Sequence, residues 1–144
     1  MVRLKTRYLI VEANAPQHSR KAAPLQRDSI ASLIKESIAR SYGDYGVGML
    51  QYAFQVIYAS KDTNLIVIRC AREQCKLVET SLVFVTESQG QELRFRVVRV
   101  CGSSRVCREH MMNLTQERLK DRNLLAQDPM LLEQIGREIE AIDP

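Results

Sequence analysis

The stretch Leu93–Arg108, LRFRVVRVCGSSRVCR, decides how the rest of the chain is read. Leu93, Phe95 and Val97 alternate with Arg94 and Arg96, the period of two shown by a strand with one buried face. Val98 and Val100 then take the place of the arginines, so the second face is covered towards the strand's end. Gly102 turns the backbone, and Ser103 or Ser104 can cap the helix that follows. Free amides at a helix start attract anions, and Arg99, Arg105 and Arg108 stand beside them. One reading is a phosphate site of backbone, hydroxyl and guanidinium. The other is a strand ended by glycine and a capped helix with solvated arginines, because so short a turn is a weak motif.

Upstream of this stretch, Val2–Ala13 reads as a first strand whose Tyr8-Leu9-Ile10-Val11 core is apolar on both sides, the mark of a central strand. A polar loop, Asn14–Pro24, leads to an amphipathic helix over Leu25–Tyr42, with Ile30, Ala31, Leu33, Ile34 and Ile38 as its buried stripe. Gly43-Asp44-Tyr45-Gly46 supplies turn chemistry, and alternation through Leu50, Tyr52, Phe54, Val56 and Tyr58 predicts a strand over Gly48–Ser60. Lys61–Asn64 is a hairpin turn before a fully buried strand, Leu65–Cys70. Arg72–Glu87 returns to helix, and Ser88–Gln91 turns around Gly90. Downstream, Ser103–Lys120 places Val106, Cys107, His110, Met111 and Leu114 on one stripe. Asp128 and Pro129 open a last helix with Leu131, Leu132, Ile135, Ile139 and Ile142 on its apolar face.

The order β-α-β-β-α-β is that of the ferredoxin-like fold, which RNA-recognition modules share. The class is therefore α+β: a ferredoxin-like sandwich with two additional C-terminal helices. At 144 residues it forms a single domain, with the core in 1–101 and a helical extension in 102–144. Strands apolar on both sides require a cover over the open face of the sheet, and one or both of the C-terminal helices are expected to pack there. Leu65-Ile66-Val67-Ile68 carries no aromatic, so bases do not stack on this sheet as they do on an RNA-recognition motif. Contacts to backbone phosphate fit better.

Charge is segregated along the chain. Arg3, Lys5, Arg7, Arg20, Lys21 and Arg27 face Glu12 alone in the first segment; Arg94, Arg96, Arg99, Arg105 and Arg108 open a second basic segment; residues from Asn123 onward are acidic. Basic segments of this kind suit a polyanion. The candidate contacts to such a polyanion are Arg3, Lys5, Arg7, Arg20, Lys21, Arg94, Arg96, Arg99, Ser103, Ser104, Arg105 and Arg108. No catalytic residue is assigned. Cys70, Cys75, Cys101 and Cys107 lack C-x-x-C spacing, so buried thiols are expected in place of a metal site, and His18 and His110 read as solvated and packed. The opening MVRLKTRY lacks a signal-like apolar run, no membrane span is expected, and the cell interior follows as the expected location.

Four places resemble the Pop-five subunit family of ribonuclease P and ribonuclease MRP: Met1-Val2-Arg3-Leu4-Lys5 with Arg7-Tyr8, Gly43-Asp44-Tyr45-Gly46, Ile68-Arg69-Cys70, and Gly102-Ser103-Ser104-Arg105. The resemblance implies a non-catalytic subunit of a nuclear and nucleolar ribonucleoprotein that removes 5′ leaders from precursor tRNA, with a sister particle acting on ribosomal RNA precursors. It implies that the RNA carries out hydrolysis with bound Mg²⁺, that the protein binds no cofactor, and that a TIM-barrel-like larger subunit and other subunits are partners. By the same resemblance Arg3, Lys5 and Arg7 sit nearest the RNA, and Ser103, Ser104 and Arg105 hold a backbone segment. Two departures stand out: Gly-Ser-Ser where Gly-Thr-Ile is common, and Thr63-Asn64 where Thr-Gly is common.

Two other readings use the same fold. A small acylphosphatase-like enzyme would recruit Arg20 and Asn14, or Arg105. A protein-only adaptor would expose Met49, Phe84, Met111 and Met112.

Overall fold

The computed structural model describes residues 5–14, 26–50, 53–88, 90–121, 123 and 128–143. Strands are β1 (Thr6–Asn14), β2 (Gln55–Ala59), β3 (Leu65–Ala71), β4 (Glu87–Ser88), β5 (Gln91–Glu92) and β6 (Arg94–Cys101). Helices are α1 (Arg27–Leu50), α2 (Cys75–Phe84), α3 (Ser104–Asp121) and α4 (Leu131–Glu140). The main sheet has the order β2-β3-β1-β6 with antiparallel neighbours, two interleaved split β-α-β units as the sequence predicts.

Two apolar clusters flank this sheet. Leu9, Val11, Ile66 and Ile68 point to α1 and α2, where Ile30, Ile34, Ile38, Val78 and Leu82 wait. Ile10, Leu65 and Val67 point the other way, onto Met111 and Leu119 of α3 and Ile135 and Ile139 of α4. The C-terminal helices therefore do cover the second face. Each such side chain contributes about 1.5–3 kcal/mol relative to exposure, which is why β1 and β3 read as unbroken apolar runs.

The structure departs from the sequence expectation in several places. Helix α1 does not stop at Tyr42: Gly43 breaks it at φ 68° and the helix resumes to Leu50. The residues after the break keep the inward face of those before, Gly46 against Tyr42 and Ile38 and Leu50 in the core, so Gly48–Leu50 is helix and β2 begins only at Gln55. Helix α2 is shorter than Arg72–Glu87: Arg72–Gln74 is a 3₁₀ turn, and Val85 adopts extended backbone before the small β4–β5 hairpin around Gly90. Finally, Val100 does not cover the second face. The β1–β6 register slips between Ile10 and Val11, so Ile10 pairs with Arg99 while Val11 pairs with Val97. Val98 packs on the α3–α4 cluster, but past this bulge Arg99 takes that face and Val100 is left 40% exposed.

At the far end of β1, Glu12 accepts from Arg96 at 2.8 Å and from Arg118 at 2.7 Å, and Arg118 also donates to the Thr63 carbonyl. Burial alone raises the Glu12 carboxyl, and the two guanidinium partners more than offset it, so the group ionises below its ordinary range. Its contribution to stability is therefore present above the unfolded value and is lost as pH falls through the lower folded one. Glu12→Gln should lower neutral-pH stability by about 1–3 kcal/mol and shrink the acid-side decline. Urea unfolding of both proteins at several pH values checks this; an unchanged acid limb refutes it.

Candidate functional site

Strand pairing collects four of the candidate cations, Lys5, Arg7, Arg99 and Arg105, at one end of the sheet. Gln55, Arg69, Tyr8 and Cys101 form one row across β2, β3, β1 and β6. Just beyond it, the Arg72 N–H donates to the Lys5 carbonyl at 2.8 Å, so Lys5 emerges between the end of β3 and the Gly102 corner. Lys5, Arg72, Arg99, Gly102, Ser103 and Arg105 are all exposed here, and Arg7 and Ser104 are half-buried.

The corner is built by its own letters. The Ser103 hydroxyl accepts from the Val106 N–H at 3.3 Å and its carbonyl accepts from the Cys107 N–H, so Ser103 is the cap of α3. The amides of Ser104 and Arg105 have no acceptor within the helix. Gly102 is absent from the positive-φ residues, and a Cβ on it would meet nothing within 4 Å. The fold would accept a side chain there; what glycine provides is a flat approach to the main chain. Cys101 and Cys107 pack beneath the corner, and burial raises both thiols, Cys107 to about 12, which leaves them packing groups and not nucleophiles.

Other candidates have different tasks. Arg94 pairs with Glu92 at 3.2 Å and Arg96 with Glu12, towards the opposite end of β6, roughly 20–27 Å from Gly102 at about 3.3 Å per residue. Arg108 reaches the carbonyls of Ile142 and Asp143 at 2.8 and 2.7 Å, while the Asp143 carboxylate accepts from Tyr8 and Arg69. These bonds fasten the C-terminus to the sheet, so Arg108 is a staple. Arg105 touches Glu109 only loosely, at 3.9 Å on the surface, a contact worth little. Arg3, Arg20 and Lys21 lie outside the described residues, as does His18. Arg72 was missed because its place beside Lys5 depends on β1–β3 pairing; its position just after a buried strand was the available signal.

The enzyme reading finds no support. Asn14 sits at the Arg94 end of β1, away from Arg105 at the Gly102 end, and Arg20, the arginine expected to act with Asn14, lies outside the described residues. Among the described residues no group of three or more His, Cys, Asp or Glu is placed to hold a metal, and no helix is long and apolar enough to cross a membrane. Of the adaptor candidates, Met111 is fully buried and Met112 packs inward, whereas Phe84 is 62% exposed.

A family model described as the Rpp14/Pop5 family matches residues 7–112, well over half of the chain. The ribonuclease P/MRP protein subunit POP5 of Schizosaccharomyces pombe is 30% identical over 111 residues, covering 72% of this chain and 80% of that protein. The Homo sapiens protein of the same name is 30% identical over 123 residues, covering 83% and 75%. In a cryo-EM structure of yeast ribonuclease MRP, one chain superposes with a TM-score of 0.58 at 13% identity, over 83% of this chain and 98% of that one, a likeness of fold.

Proposed function

The chain belongs to the Rpp14/Pop5 family, and from that premise we propose how it serves as a protein subunit of the ribonuclease P and ribonuclease MRP ribonucleoproteins. It binds the RNA of the particle through the end of its sheet. Lys5, Arg7, Arg72, Arg99 and Arg105 supply positive charge, and the Gly102–Ser104 corner supplies main-chain amides at the closest approach. The observation that carries this reading is the pairing of Tyr8 with Cys101, which sets the basic start of β1 beside the Gly102 corner.

Hydrolysis belongs to the RNA and its Mg²⁺, and the protein holds the RNA and precursor tRNA near the cleavage centre without a catalytic group of its own. The TIM-barrel-like subunit and other proteins of the particle take further surfaces, and the assembly works in the nucleus and nucleolus. Affinity purification of the tagged full chain, with sequencing of the RNA that accompanies it, tests the proposal. Enrichment of both particle RNAs, or of one, supports it. A preparation without RNA, or with ribosomal fragments alone, removes it.

A further inference from the structure

The Asp143 carboxylate stands among cations at the Gly102 end of the sheet. Leu65 and Val67 of β3 point to α3 and α4, and Arg69 is the next residue on that side. It lies beside Tyr8 of β1, and Tyr8 beside Cys101 of β6. Asp143 Oδ2 closes this row, accepting from the Tyr8 hydroxyl at 2.9 Å and from Arg69 Nη1 at 2.8 Å, while Arg69 Nη2 donates to Gln55. The charge of Asp143 reaches the buried Cys107 thiol, whose N–H donates to the Ser103 carbonyl. The carboxylate therefore lies within one turn of the cap of α3.

The surroundings keep an excess of positive charge. Arg108 directs its bonds to the neutral carbonyls of Ile142 and Asp143, so its own charge meets no carboxylate through them. Arg99 is exposed on the same face of the sheet, near enough for its charge to act on Cys101. The Asp143 side chain is also not what holds its segment down. Ile142 is buried, its N–H donates to the Ile139 carbonyl at 3.0 Å, and Arg108 grips the main chain. The Arg69–Asp143 pair is 31% exposed on both sides, where an ion pair is worth little. Rotation of the Asp143 side chain uncovers the Tyr8 hydroxyl and Arg69 with the main chain still in place. Both donors share one carboxylate oxygen; a phosphodiester offers two non-bridging oxygens, one for each, and pairs strongly with arginine.

Resting on the RNA-binding reading above, we propose that Tyr8 and Arg69 form a phosphate subsite of that interface, filled by Asp143 in the free protein and yielded to an RNA phosphodiester. Asp143 is then an internal competitor of the RNA.

The test uses the full chain and a fluorescein-labelled single-stranded RNA of mixed sequence. Asp143→Gly removes the carboxylate and suits the left-handed backbone there, at φ 36°. It should raise affinity about threefold to fivefold and move Tm by less than about 4 °C. Glu140→Gln, the same change of charge at an exposed position of α4, should have a smaller effect. Arg69→Gln should weaken binding about tenfold, flatten the salt slope by about 0.7, and abolish the gain from Asp143→Gly in the double variant. If Asp143→Gly disturbs the fold, Asp143→Asn should raise affinity in its place. A fall in affinity without the carboxylate, or a rise no larger than that of Glu140→Gln, overturns the exchange. If the changes at Asp143 and Arg69 leave affinity unaltered while Lys5→Gln weakens it, the subsite falls and the RNA-binding reading stands. If Lys5→Gln changes nothing either, both fall.

Discussion

Replacing Lys5 and Arg105 together with glutamine lowers affinity for the particle RNA at least about a hundredfold near 0.1 M salt. Each residue is exposed, Lys5 makes no ion pair among the described residues, and Arg105 has only its loose contact to Glu109. Both are therefore available to phosphate without first breaking a strong bond. Hydrogen bonds to charged partners are worth about 1.5–3 kcal/mol each, so two lost contacts exceed a hundredfold comfortably. The log–log salt dependence should flatten by about 0.7–0.9 per residue as fewer counterions are released. Fold stability should not change, because neither side chain packs against the core. Filter binding across a salt series, with thermal unfolding alongside, checks all three. A normal slope with normal affinity would remove these residues from the interface. The matching change at Arg94 should leave the slope nearly intact, since that guanidinium stands at the other end of β6.

Ile139→Ala should cost the fold about 2–5 kcal/mol, or roughly 6–15 °C in Tm. Ile139 is 0% exposed and lies in the cluster with Ile10, Leu65, Val67, Met111 and Leu119. It sits beyond residue 112, where the family match ends, yet it closes the sheet face that a two-layer domain would leave bare. Removing its branches opens a cavity between α4 and the central strands. Urea and thermal unfolding give the measurement. A loss under about 1 kcal/mol would mean that α4 is only loosely applied, contrary to its buried Ile135, Gly136 and Ile139.

The central strands were legible because burial on both faces writes itself into consecutive residues, as in Leu9-Ile10-Val11 and Leu65-Ile66-Val67-Ile68. The edge strand β2 was misjudged because its alternation extends back through Leu50, where the same letters serve a helix that has already broken and resumed at Gly43. No local pattern announces that, since the decisive contact is Gly46 on Tyr42. The site shows the same divide. The Gly102 corner and the start of β1 could be picked out by composition and turn chemistry. The fates of Arg96 and Arg108 could not, because their partners, Glu12 and Ile142, lie 84 and 34 residues away. A guanidinium reads identically whether it awaits a phosphate or already holds a carboxylate, and only the fold distinguishes the two.

Strand β1 has one more consequence. It is hydrogen-bonded along both edges, buried on both faces, and fastened at its start by the Arg72 amide on the Lys5 carbonyl. Immobilising a residue's backbone costs about 1–2 kcal/mol, and here that loss of freedom has already happened when the domain folds. For the described residues at this end, an encounter with a polyanion should leave only side-chain rotamers to settle, so charge-guided diffusion, and not a slow ordering of β1, is expected to set the rate of capture.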